Sequence, residues 1–184
     1  MTFKKVFFIG FSAFLLGTGT SIFAPQSLAS PGFFEYQWDA EPGYKRLKYY
    51  QSSSERHERS TYYFFIRGKE RKEAITKLII AVPDYFEAKI KTKRLSLCKV
   101  KVGGYTARTR CLENIPSSIT INEKQTAIEI LPENPIPKNK DNYAVVMKIF
   151  NPRNRGMFQL RAISLKGSDM PISTYLGTWN IDVQ

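Results

Sequence analysis

Through most of this chain apolar and polar residues alternate in short runs broken by Gly, Pro, Asn and Asp, and no stretch holds the 3.6-residue spacing of a long amphipathic helix. The runs predict strands. Residues 60–67 (STYYFFIR) are aromatic and β-branched, and 78–82 (LIIAV) form a compact apolar run stopped by Pro83 and Asp84. Between them 68–74 is a charged connection, and its continuation EAITKL offers one turn of helix. Residues 86–93 read as a strand or an extended loop. Residues 94–102 and 105–112 make a hairpin around Gly103 and Gly104, where glycine supplies positive φ at little steric cost. Next come 118–121 and 126–131, and then Pro132, Pro135 and Pro137 impose an extended stretch ending in the loop 138–142. Residues 143–150 and 157–165 flank a hairpin connection opened by Pro152 and closed by Gly156, and 174–183 ends the chain as a strand. Eight or nine short strands with turn signals at this spacing predict an all-β fold, an antiparallel β-sandwich in a single domain. Residues 31–51 carry no readable pattern.

The start of the chain follows a different rule. Lys4 and Lys5 precede an apolar run over 6–16, and Ser27-Leu28-Ala29 is a small-x-small site of the kind signal peptidase cuts. The run is shorter than the roughly 20 residues that span a bilayer, and Gly17, Gly19 and Pro25 interrupt its extension. A cleaved signal peptide at 1–29 is therefore favoured over an uncleaved anchor, leaving 30–184 as the domain. Ser30 follows the cut where a lipid anchor needs cysteine, which argues against lipidation. The expected destination is the periplasm, the cell surface or the medium.

Export changes the meaning of charge and cysteine. The net charge is +12, and the leader contributes two lysines and no acid to it. Such a balance outside the cytoplasm favours anionic partners, envelope polysaccharide or lipid headgroups, and demotes nucleic acid. Cys98 and Cys111, the two cysteines, are expected to pair in an oxidising compartment. The one histidine, His57, lies in a charged run, so no metal site or cofactor is expected. If the hairpin loop is 103–106, Val102 pairs with Ala107 and Cys98 falls directly opposite Cys111; a two-residue Gly-Gly loop leaves the cysteines diagonal and marginal for bonding. Disulfide geometry selects the four-residue loop, and the bridge is expected to stabilise by about 3 kcal/mol at most.

In either register alternation collects Lys99, Lys101, Arg108 and Arg110 on the face opposite the cysteines, an outward ladder of like charges that stability does not explain. This ladder is the candidate anion-binding surface. Trp38, Tyr49 and Tyr50, outside the clearest strands, are candidates for stacking on sugar rings. A catalytic triad must be built on His57, which lacks a nucleophile elbow nearby, and the acids Asp39, Glu41 and Asp182 have no evident apolar pocket to raise a pKa. The sequence therefore points to a non-catalytic binding module. A structural or accessory envelope protein with a merely solvated basic surface is the alternative, and a glycan-modifying hydrolase ranks third.

Three segments carry a resemblance: ILPENPIP at 130–137, YAVVMKIFNPRNRGMFQL at 143–160, and the Tyr175-Leu176-Gly177-x-Trp179 set. In these the chain resembles a family of secreted cyanobacterial proteins known as a domain of unknown function. The resemblance implies an exported, single-domain, immunoglobulin-like β protein of the cell envelope. It brings no activity, cofactor or catalytic residue to carry over.

Overall fold

The computed structural model of the protein describes residues 43–104, 107–166 and 172–184; the leader and Trp38 lie outside them. Ten strands form among the described residues: β1 (Tyr49–Gln51), β2 (Arg59–Ile66), β3 (Lys77–Ala81), β4 (Leu95–Lys101), β5 (Arg110–Ile115), β6 (Ser117–Ile121), β7 (Ala127–Pro132), β8 (Tyr143–Phe150), β9 (Gly156–Lys166) and β10 (Ile172–Val183). They make two five-stranded antiparallel sheets, in the orders β1-β2-β8-β4-β5 and β10-β9-β3-β7-β6. This is the expected all-β sandwich. The tenth strand, β1, comes from the stretch whose pattern predicted nothing. Residues 86–93 form no strand, and 73–78 form no helical turn; instead Ile75 bridges Ile136 and leads into β3.

Alternation builds the core. Tyr62, Phe64 and Ile66 of β2 and Tyr143, Val145, Met147 and Ile149 of β8 face Leu78 and Ile80 of β3, Phe158 and Leu160 of β9, and Trp179 and Ile181 of β10, all buried. Trp179 is fully buried, its ring 5.0 Å from that of Phe64, and its Nε1 donates to the Phe65 carbonyl at 3.3 Å. The opposite face of the first sheet carries a smaller buried cluster: Phe65, Cys98, Val100, Ala144 and Val146.

The resemblance-bearing motifs have structural roles. In the hairpin between β8 and β9, buried Asn151 accepts a hydrogen bond from the Tyr62 hydroxyl and donates from Nδ2 to the carbonyls of Ser53 and Glu55, at 3.0 and 2.7 Å. It thus clamps the β1–β2 loop to the sandwich. Asn151→Ala leaves the buried Tyr62 hydroxyl without its acceptor, while Ser53 O keeps its bond from Ser60 Oγ and Glu55 O its longer one from Glu58 N; it is expected to cost about 2 kcal/mol, read as a fall in the denaturation midpoint at unchanged m-value. In the Tyr-Leu-Gly-x-Trp set the pairing of β10 with β9 slips by one residue between Tyr175 and Gly177, a β-bulge. There Thr178 donates to Lys45 O and accepts from Leu47 N, at 2.7 and 2.8 Å, so residues 45–47 cover the free edge of β10 before the chain crosses to pair as β1 with β2.

The hairpin of β4 and β5 differs from its expected register. Cys98 and Cys111 are bonded, with Cα atoms 5.7 Å apart. Yet Val100, not Cys98, lies opposite Cys111, and Lys101 opposite Arg110. The register shifts between Lys99 and Val100, where Leu112 is the extra residue on β5. The connection is eight residues, 102–109, rather than four. It closes through Gly104 N donating to Ala107 O and Gly103 N donating to Thr109 Oγ1, both at 2.9 Å. Gly103 is needed for close approach rather than for positive φ, since a Cβ there stands 2.5 Å from Thr109 N. The faces are also inverted. Cys98 and Val100 join the smaller outer cluster, while Lys99 and Lys101 continue the Leu95 and Leu97 face past the end of the core.

Candidate anion-binding site

One end of the sandwich gathers the last residues of β2, β4 and β9 with the first residues of β3, β5, β8 and β10. The loops there are pinned by Arg71, whose side chain is buried at 2% exposure. Its guanidinium donates to Ile66 O (2.6 Å), Pro137 O (3.1 Å), Asn139 O (3.1 Å), Asn139 Oδ1 (2.7 Å) and Asp141 O (2.9 Å), and lies 4.7 Å over the Tyr143 ring. Burial lowers its pKa, and Tyr143, Asp141 and Glu70 oppose the shift. It stays charged. The five-donor fork suits a site where four backbone carbonyls converge, and lysine has no equivalent geometry.

Three carboxylates at this end are already engaged. Glu70 receives the backbone N–H and the guanidinium of Arg67, Glu73 pairs with Lys166 at 2.8 Å, and Asp141 pairs with Lys99 at 2.8 Å. The Lys99 pKa is raised, chiefly by its hydrogen bond to Asp141. Lys45, Arg46, Lys48, Lys69, Lys72, Arg108, Lys138 and Lys140 form no ion pair among the described residues. They are exposed, and they line three cavities that meet at Arg67. A cleft of about 340 Å³ opens between the 45–47 segment, the β2–β3 loop and the start of β10. A depression of about 620 Å³ lies between Lys69 and the Lys138–Lys140 loop. A groove of about 520 Å³ runs from Lys48, Tyr49 and Tyr50 to Gly103, Gly104 and Arg108.

This arrangement regroups the predicted residues. Lys99 is paired with Asp141 and has Glu113 directly opposite on β5, so the four cations do not form a free ladder. Lys101 and Arg110 remain an exposed like-charge pair, and Arg108 leaves the strand to line the groove. Tyr50 is 44% exposed in the same groove, its ring 6.1 Å from Tyr63. Tyr49 is half-buried; its hydroxyl accepts from Asp182 N at 3.3 Å, and burial raises its pKa. His57 is exposed at φ 58°, with no hydrogen bond to a serine or carboxylate among the described residues. No group of three or more His, Cys, Asp or Glu side chains that could hold a metal ion occurs among the described residues. Lys48, Lys69, Lys72, Lys138 and Lys140 escaped the sequence reading. Lys69, Lys72, Lys138 and Lys140 gave only their placement in charged connections, where solvated lysines also sit, and Lys48 lies in the stretch 31–51 without a readable pattern.

Fold and site together define a β-sandwich whose loops at one end carry a cluster of cations without ion pairs among the described residues. The chain belongs to the DUF2808 family, described as a protein of unknown function, with the match extending over residues 33–183. No curated protein matches it. Solved structures resemble it remotely. The collagen-binding domain of a Staphylococcus aureus adhesin is 10% identical over 74% of this chain and 95% of its own, at a TM-score of 0.42. The collagen-binding subdomain of the Enterococcus faecalis surface protein ACE is 7% identical over 77% and 99%, at 0.43. An uncharacterised Nocardia farcinica protein with an immunoglobulin-like fold is 13% identical over 72% and 98%, at 0.36. Likeness at this level carries nothing about ligands.

Proposed function

We propose that this protein is a non-catalytic binding module, exported by a signal peptide at 1–29, that holds an acidic polysaccharide of the cell envelope in the groove between Tyr50 and Arg108. The observation that carries this reading is the meeting of an exposed tyrosine from β1 with Lys48 and Arg108 in one groove, at an end of the fold where Glu70, Glu73 and Asp141 are already paired. A sugar ring needs an apolar platform and a polar surround, and a uronate or sulfate adds a demand for a cation beside that platform. Tyr50 meets the first need, Lys48 and Arg108 the second. Lys101 and Arg110 extend the positive potential along the hairpin and steer a polyanion toward it.

Retention on immobilised polygalacturonate, with neutral dextran as control, tests the reading. The protein is expected to bind the acidic polymer at 50 mM salt, to ignore dextran, and to elute as salt approaches 1 M, where the Debye length falls to about 3 Å. Combining Tyr50→Ala with Arg108→Gln is expected to weaken retention at least ten-fold without lowering the melting temperature, since both side chains are exposed. Retention that ignores salt, or survives this double substitution, would support instead an accessory envelope protein whose charge only solvates it.

A further inference from the structure

The 340 Å³ cleft differs in kind from the groove. Its floor is built mainly from Leu47, Ile75 and Leu176, each at least 94% buried, with Ser164 beside them, its hydroxyl already donating to Thr174 O at 3.4 Å. Its rim carries Lys45, Lys69 and Lys72, exposed and without an ion pair among the described residues, while the two acids at the rim, Glu70 and Glu73, are taken by Arg67 and Lys166. We propose that this cleft binds an amphiphilic anion: an aliphatic tail laid on the floor, with one anionic head held by the lysine rim.

Both halves of that description follow from the lining. A saccharide seated on the floor turns hydroxyls toward carbon atoms of Leu47, Ile75 and Leu176, where they lose water and gain no partner. A bare inorganic anion satisfies the rim but has no tail to bury, and so forgoes the transfer of apolar area from water that an aliphatic chain gains in the cleft. The volume equals about eleven water volumes at ~30 Å³ each, room for a medium-length chain but not for a two-tailed lipid. The walls are held in place before any ligand arrives. Arg71 fixes the β2–β3 loop that carries Lys69 and Lys72, and the backbone bonds of Thr178 to Lys45 and Leu47, beside the bulge, tie the 45–47 segment to β10. Mutually repelling lysines around a small mouth gain further when an anion sits among them. The site does not depend on the polysaccharide reading, because the residues that carry it lie outside the Tyr50 and Arg108 groove.

Titration calorimetry of the protein at 50 mM salt with decanoate, decyl phosphate, decanol and acetate tests the proposal. Decanoate and decyl phosphate are expected to bind one to one. Shortening the carboxylate from decanoate toward hexanoate is expected to weaken binding about four-fold per methylene removed. Decanol is expected to bind at least ten-fold more weakly, and acetate to give no saturable heat. Lys69→Gln combined with Lys72→Gln is expected to lose at least ten-fold for decanoate while leaving decanol unchanged. Ala74→Phe, at an exposed position on the mouth, is expected to block both at an unaltered melting temperature, and Tyr50→Ala with Arg108→Gln to alter neither. Acetate binding as tightly as decanoate would reduce the cleft to a cationic patch. Decanol matching decanoate would remove any role for the rim, and full binding by Ala74→Phe would place the ligand elsewhere; each of these outcomes overturns the proposal.

Discussion

Arg71→Leu is expected to lower stability by roughly 4 kcal/mol, a fall of roughly 8–16 °C in melting temperature for a chain of this size. Leucine fills part of the volume but leaves the carbonyls of Ile66, Pro137, Asn139 and Asp141 without the donor that now reaches all four. Pro137 O keeps its bond from Asn139 N; each of the other acceptors left unpaired costs about 1–3 kcal/mol, and those that water can reach after the loop relaxes cost less, which keeps the total toward the low end. Arg71→Lys keeps the charge but offers a point donor in place of a planar fork, and also loses the stacking over Tyr143. It is expected to recover less than half of the loss. Thermal unfolding by circular dichroism measures both. A fall below about 1 kcal/mol for Arg71→Leu would mean that the loops hold themselves.

Gly177→Ala is expected to cost roughly 2–5 kcal/mol, with its local signature at the sandwich edge. Gly177 has φ +149°, a conformation an L side chain rarely adopts, and a Cβ there stands 2.6 Å from both Leu47 Cγ and Lys45 O. Either the bulge changes conformation or the 45–47 segment leaves β10. The Leu47 amide, now bonded to Thr178 O, is then expected to exchange with solvent far faster, while amides at the centre of β8 slow or hasten only with global stability. Gly104→Ala provides the comparison, because nothing among the described residues lies within 4 Å of a Cβ at that position; it is expected to be near neutral. Equal effects at the two positions would refute the role given to close approach at Gly177.

The groove and the cleft were legible in the sequence only in pieces. Tyr50 and Arg108 stood out singly, one as an aromatic outside the strands and the other as part of a charged hairpin, and nothing in their spacing connects them. The register of β4 and β5 was misread because an extra residue at Leu112 leaves no mark in an alternating pattern. One such residue moves Cys111 from opposite Cys98 to opposite Val100. The assignment of faces failed for another reason: both faces of the first sheet bury apolar side chains, so cysteines among valines did not identify the inner one.

What the sequence determined by itself is local. Strand identity follows from alternation, β-branching and turn residues within a few positions, and 60–67, 78–82, 143–150 and 157–165 are strands within a residue of the expected bounds. The pairing of the two cysteines, close along the chain in one hairpin, was likewise decided nearby. Tertiary structure decided what depends on distant partners. Arg71 reads as one more cation in a charged connection, and becomes a buried pin only because Pro137, Asn139 and Asp141 arrive from across the sheet. Which lysines stay unpaired depends on where Glu70, Glu73 and Asp141 fall, and only the folded loops place those carboxylates. Charge count belongs to composition, but a binding surface needs charges that lack counter-ions and share a cavity, and that is set by three-dimensional neighbours.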